Sequence, residues 1–149
     1  MSIIRPNFRG KPAKRLVTQR DRVKIKRLGA NLDRVLRRCT PKIPKARRKI
    51  AVGIAEAAML RHLQGYFEIY PGNEEMAEWG DCDERTVRRH MHAYHNWGFV
   101  VSLDDKKGGY QTTNCYQINL DVIIKVAITC GGNPSMKLVR EIRDYIPGK

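Results

Sequence analysis

Long apolar runs are missing from this 149-residue chain. None approaches the roughly 20 residues needed to cross a bilayer. A charged start followed by an apolar stretch and a small-residue cleavage site is also missing, so the chain reads as having no secretory signal. The four cysteines, Cys39, Cys82, Cys115 and Cys130, are scattered without close pairing. That spacing argues against a disulfide framework and against a cysteine-pair zinc motif, and predicts reduced thiols in a cytoplasmic protein. There is no phosphate loop, no nucleophile elbow and no paired carboxylates in a setting suited to acid–base work. The expectation is a non-enzyme with no catalytic residues and no cofactor. Internal repeats and low-complexity tracts are absent as well.

Positive charge is what the chain has in excess, with a net charge of +14 and a pI near 10.0. Such a field attracts polyanions: DNA, RNA or an anionic membrane surface. Residues 1–50 hold 18 Lys/Arg against 2 Asp/Glu, whereas residues 51–149 hold 11 against 13. A basic arm thus precedes a nearly neutral body. The apolar fraction of 42% is enough for that body to build a core.

Residues 1–15 contain Pro6, Gly10 and Pro12 with little apolar periodicity, and read as an arm. From about Val23, Leu28, Leu32, Val35, Leu36 and Cys39 fall at helical spacing, although Gly29 weakens the pattern. Pro41 and Pro44 end it. A long helix is predicted over 45–65, with Ile50, Ala51, Ile54, Ala55 and Ala58 on its apolar face. Its first turns carry Arg47, Arg48 and Lys49, a poor match to the positive end of a helix dipole, which points either to a compensating anion nearby, such as phosphate, or to charges that are simply solvated. A short strand is predicted over 67–70.

Residues 73–100 carry the most information. Asn73 caps a short helix that Gly80 stops; Asp81, spaced with Glu84 like a capping box, or Asp83 caps a second helix over 83–97. Gly98 ends that helix, and strands over 99–101 and 115–119 flank a polar tip at 104–113. Residues 122–129 are open to two readings, since their β-branched residues favour a strand whereas Asp121 as cap and Gly131-Gly132 as stop favour a short helix, which is preferred; an amphipathic helix is predicted after Ser135, with Leu138, Val139, Ile142, Tyr145 and Ile146 on its apolar face.

The stretches NEEMAEWGDCDERTVRRHMHAYHNWGFV and TTNCYQINL resemble a winged helix-turn-helix DNA-binding domain of the kind found in bacterial and phage transcriptional regulators and in plasmid or phage replication initiators. With the preceding helix the resemblance covers about 45–120. The expected fold is mainly α with a small β-hairpin (α+β), divided into a basic arm and helix (1–44), a winged helix-turn-helix domain (45–120) and a helical extension (121–149). Val87, Met91 and Tyr94 repeat at helical spacing and should face the core, with Trp97 and Phe99 closing it under the wing. Glu84, Arg85, Thr86, Arg88, Arg89 and His92 lie off that face. The first half of such a helix is the part that reaches base edges in a major groove. Arg85 and Arg88 are the candidates for bases, Arg89 for phosphate, Thr86 for phosphate or equally for a cap or packing, and Glu84 for a cytosine amino group or a cap. Lys106 and Lys107 at the wing tip are candidates for phosphate or an adjacent minor groove, and Arg47 and Arg48 further back are candidate phosphate contacts.

His90, His92 and His95 do not make a metal site, since only His92 and His95 share a helix face and no partner has ligand spacing. The function this implies is sequence-specific double-stranded DNA binding by a nucleoid-associated transcriptional regulator. Replication initiation on a mobile element, and RNA or ribosome binding by the same fold, are the alternatives. The last helix offers either a seam for a homodimer or a cover for the body of its own subunit.

Overall fold

The computed structural model describes residues 16–103 and 115–146. In chain order the elements are α1 (Gln19–Arg37), α2 (Lys45–Leu63), β1 (Glu68–Ile69), α3 (Asn73–Gly80), α4 (Glu84–Trp97), β2 (Val100–Ser102), β3 (Tyr116–Ile118), α5 (Leu120–Thr129) and α6 (Met136–Arg143). The described residues are mainly helical and carry one small antiparallel sheet, an α+β arrangement. None of the described helices is long and apolar enough to cross a membrane.

The first helix begins earlier than apolar periodicity suggests, because its start is set by a cap. The Thr18 hydroxyl accepts from the Asp21 amide at 3.1 Å, and the Asp21 carboxylate accepts from the Thr18 amide at 3.1 Å. Two otherwise orphaned amides are satisfied reciprocally. From there α1 buries Ile25, Leu28, Leu32, Val35 and Leu36. It packs on α2, whose buried face is Ile50, Ala51, Ile54, Ala55, Ala58 and Met59. The alanines shorten the distance at which the two helices can approach. Burying a Leu or Ile side chain contributes about 2 kcal/mol each, so this face is a principal source of stability.

Small residues also bring α3 onto α2. A Cβ on Gly53 would fall 2.5 Å from the Trp79 ring, and one on Gly80 would fall 2.7 Å from Ile50 Cγ1. Gly80 is therefore the last residue of α3 and a packing contact, not only its stop. Gly72, not Asn73, is the N-cap, and Asn73 is the first helical residue. Asp81 adopts a left-handed conformation (φ 54) as the C-cap of α3, its N–H directed to Ala77 and Glu78 carbonyls. An Asp tolerates this region better than most side chains. The expected Asp81–Glu84 capping box is consequently absent. Asp83 alone caps α4, its carboxylate accepting the Thr86 amide at 2.8 Å.

The α4 helix ends at Gly98, whose φ of 85 demands glycine. Phe99 then turns back: its amide reaches the Tyr94 carbonyl at 3.1 Å and its ring meets Tyr94 edge-on at 5.6 Å. The sheet order is β1-β3-β2, so the predicted hairpin gains a third strand. Ile69 pairs with Tyr116, and Val100 with Ile118. The predicted tip at 104–113, with Lys106, Lys107 and Tyr110, lies outside the described residues.

Asp121 is not the cap of α5. The helix starts at Leu120 behind Asn119, and Asp121 instead accepts from Arg143 of α6 at 2.9 Å and faces Lys125 at 3.4 Å. Ser135 caps α6 by accepting the Leu138 amide at 3.1 Å. Leu138, Val139, Ile142 and Tyr145 are buried in the cluster that also contains the buried faces of α1, α2, α4 and α5, so the apolar face of α6 covers its own subunit and is not an open dimer seam. The described helix of the basic N-terminal third is thus built into the core.

Candidate nucleic-acid interface

The α4 helix has two faces of opposite character. Val87, His90, Met91 and Tyr94 are buried, with Val87 and Tyr94 wholly inaccessible. Glu84, Arg85, Arg88, Arg89 and His92 are exposed. Each residue turns the helix by about 100°, so Arg85, Arg88, Arg89, His92 and Asn96 project within a sector of about 100° opposite Tyr94. Asn96 was not among the residues singled out from the sequence. Its spacing of four from His92 and seven from Arg89 is the signal that places it on the stripe.

Among the described residues, no carboxylate forms an ion pair with the arginines of this stripe. Among the described residues, no hydrogen bond or ion pair engages Arg88. Arg85 and Arg89 act only through space on Asp83, whose carboxyl is held below its ordinary value first by its bonds to Thr86 and then by these two charges. Thr86 engages the Asp83 carboxylate through both its amide and its side chain, so its hydroxyl belongs to the cap. The acidic residues Glu74, Glu75 and Glu78 are exposed on α3. His95 turns toward the sheet, with its ring 6.1 Å from Tyr116 and Nε2 3.5 Å from Ser102 Oγ.

Arg48 is not a candidate for phosphate. Its side chain is 9% exposed and Nε donates to Asp33 Oδ1 at 2.7 Å. Lys49 and Arg37 stand 3.6 Å from the other Asp33 oxygen. The anion that the basic start of α2 demands is therefore a carboxylate from α1. Burial raises the Asp33 carboxyl, but the Arg48 hydrogen bond and the charges of Arg48, Lys49 and Arg37 outweigh it and hold the group below its usual range.

Arg47 is not on the exposed stripe either. Its Nε donates to Nδ1 of the buried His90 at 3.0 Å, and the Tyr94 hydroxyl donates a short hydrogen bond to its carbonyl. His90 lies on the flank of α4 away from Arg85 and His92. The bond requires His90 Nδ1 to be an acceptor, so the neutral ring carries its proton on Nε2. Burial, then the charges of Arg47 and Arg89, push the pKa of His90 below its ordinary value. The two residues fix the start of α2 against the middle of α4, and hence the orientation of the exposed stripe.

The structure therefore brings together Arg85, Arg88, Arg89 and His92 on one exposed stripe with Glu84 exposed beside it, assigns Thr86 to the cap, and separates Arg47 and Arg48 from them. Among the described residues, no cluster of three or more His, Cys, Asp or Glu side chains could hold a metal ion. The four cysteines are free, Cys39 and Cys115 being buried. No protein-family model, curated protein or solved structure matches the chain.

Proposed function

We propose that the chain binds double-stranded DNA sequence-specifically, as a winged helix-turn-helix protein whose α4 helix enters the major groove. The observation that carries this reading is the stripe of exposed arginines on α4, without an ion-pair partner among the described residues, presented by a helix that is capped at Asp83, stopped at Gly98 and buried on its other face. The order α2-β1-α3-α4-β2-β3 with sheet order β1-β3-β2 supports it, because it is the order of a winged helix. The left-handed Asp81 between α3 and α4 supplies the tight turn. Arg85 and Arg88 would each make paired hydrogen bonds to guanine O6 and N7, and Arg89 would meet phosphate. Lys106 and Lys107 would hold the flank. The basic residues before Lys42 would supply most of the affinity that does not depend on sequence. The resemblance of residues 73–119 to bacterial and phage regulators makes transcriptional control the biological role proposed, with two copies reading two half-sites.

Selection of bound sequences from a random duplex pool tests this reading. A recurring motif containing guanine is expected, and Arg88→Ala should relax the choice at one position. Failure to enrich any sequence, or structured RNA displacing the selected duplex at equal salt, would remove the DNA assignment.

A further inference from the structure

A cavity of about 460 Å³ lies where the α1–α2 connection, the end of α4 and one face of α5 meet. Its apolar wall includes Ile43, Trp97, Val122 and Val126, all half-buried, with Val122 and Val126 one turn apart on α5. Three cations, Lys42, Arg47 and Lys125, also line it, and among the described residues no carboxylate does. The volume is within the range of small-molecule sites, about 300–1,000 Å³. The cavity between α1, α2 and Trp79 is similar in size but contains Glu56, already paired with Lys26 at 3.5 Å.

We propose that this cavity binds a small amphipathic anion, an aromatic or branched aliphatic carboxylate. The apolar body would lie against Trp97, Val122 and Val126, and the carboxylate would face Lys42 and Lys125. Charge and shape both select that class. An uncharged apolar ligand would leave the cations unanswered, whereas a strongly hydrophilic anion would gain nothing from the indole and valine surface. Arg47 is already tethered to His90 through Nε, and no described residue bonds its two terminal nitrogens, which leaves them free to answer an anion. The α2 helix starts at the same rim behind Pro44, which provides no side-chain cap, so the positive end of the helix adds to the field. Lys125 stands 3.4 Å from Asp121, but its side chain is 69% exposed, so it can turn to a ligand without a large loss.

The test uses no DNA, so its result is independent of the nucleic-acid reading. The full chain is titrated with 4-phenylbutyrate and separately with 4-phenylbutanol, and the two indole N–H signals are followed by NMR, with Trp97→Phe identifying the one that matters. The Trp97 signal should move saturably with the acid while that of Trp79 stays. The alcohol should require about ten-fold more ligand, the value of one charge-assisted contact of about 1.4 kcal/mol. Lys42→Gln with Lys125→Gln, both at exposed positions, should weaken the acid by about the same factor and leave the alcohol unchanged. An unmoved Trp97 signal, equal half-saturation by acid and alcohol, or acid binding indifferent to the two lysine changes overturns the proposal.

Discussion

Arg47 Nε donates to His90 Nδ1 at 3.0 Å, tying the first turn of α2 to the buried side of α4. The bond exists only while His90 is neutral, because a protonated ring has no acceptor and would place a second positive charge against Arg47. Burial first, and then the charges of Arg47 and Arg89, hold the His90 pKa in the folded state below the ordinary histidine value of 6.5. His62 shifts the same way, through burial, while its Nδ1 contacts the Tyr145 carbonyl at 2.7 Å. For a base with a depressed folded pKa, the unfolded chain binds more protons. The stability contribution is complete above about pH 6.5, and is lost as pH falls from that value through the folded pKa. Urea midpoints measured between about pH 5 and 8 should decline on the acid side. His90→Gln should flatten part of that decline, and the double change with His62→Gln should flatten more. A decline of unchanged steepness in both variants would show that other groups control it.

The ion pair of Arg48 with Asp33 predicts an asymmetric mutational pattern. Asp33→Ala leaves Arg48 buried at 9% side-chain exposure without its carboxylate. Breaking one side of such a pair costs about 3–5 kcal/mol. Arg37 and Lys49, which share the same carboxylate, would also lose it. Asp33→Leu combined with Arg48→Met should recover much of the loss, because the pair is then replaced by apolar volume. Thermal or denaturant unfolding reads both. If Asp33→Ala is as stable as the parent chain, the pair is not the clamp between α1 and α2.

Gly98 joins the helix that carries the arginines to the sheet. At φ 85, any residue with a Cβ is strained by about 1–2 kcal/mol, although open space surrounds the position. Gly98→Ala should lower stability by about that amount, and Gly98→Asn by less, since Asn visits the left-handed region more readily. Equal losses for Ala and Asn would point to crowding in place of backbone strain.

The parts of the fold that were legible in the sequence are those set by local rules. Helical spacing of Val87, Met91 and Tyr94, with Gly98 at the end, located α4 to within a residue. The alanine-rich face of α2 and the Ser135 cap of α6 were equally readable. What failed depended on distant partners. Arg48 and Lys49 look like phosphate ligands until α1 folds over and supplies Asp33, fifteen positions before Arg48. Asp121 looks like a cap until Arg143 arrives from α6. Gly29 looks like a weak point in α1, but a Cβ there would fall 1.9 Å from Glu56 Oε2, so it is a close-approach position. At the site, the exposed face of α4 followed from periodicity, whereas the Arg47–His90 tether required the tertiary structure.

The division of labour between the arginine stripe and the basic arm can be measured separately. Each phosphate contact releases counterions, so log affinity falls with log salt by about 0.9 per contact on duplex DNA. Residues 1–15 contain Arg5, Arg9, Lys11, Lys14 and Arg15. Removing them should reduce the salt slope by several times about 0.9, weaken selected and random duplexes alike, and leave the ratio between them nearly intact. Arg88→Ala should do the reverse. A lost base contact costs about 1–3 kcal/mol against the selected site, which is roughly a 5- to 160-fold loss of discrimination, with the salt slope changed by at most about one. Arg89→Ala, placed as a phosphate contact, should lower the slope by about one with little change in discrimination. Arg48→Ala should lower stability and leave both quantities unaltered in the fraction that folds. The informative result is the crossing of the two effects: if Arg88→Ala and the shortened chain alter slope and discrimination in the same proportion, α4 contributes only charge and the assignment of base contacts to it is wrong.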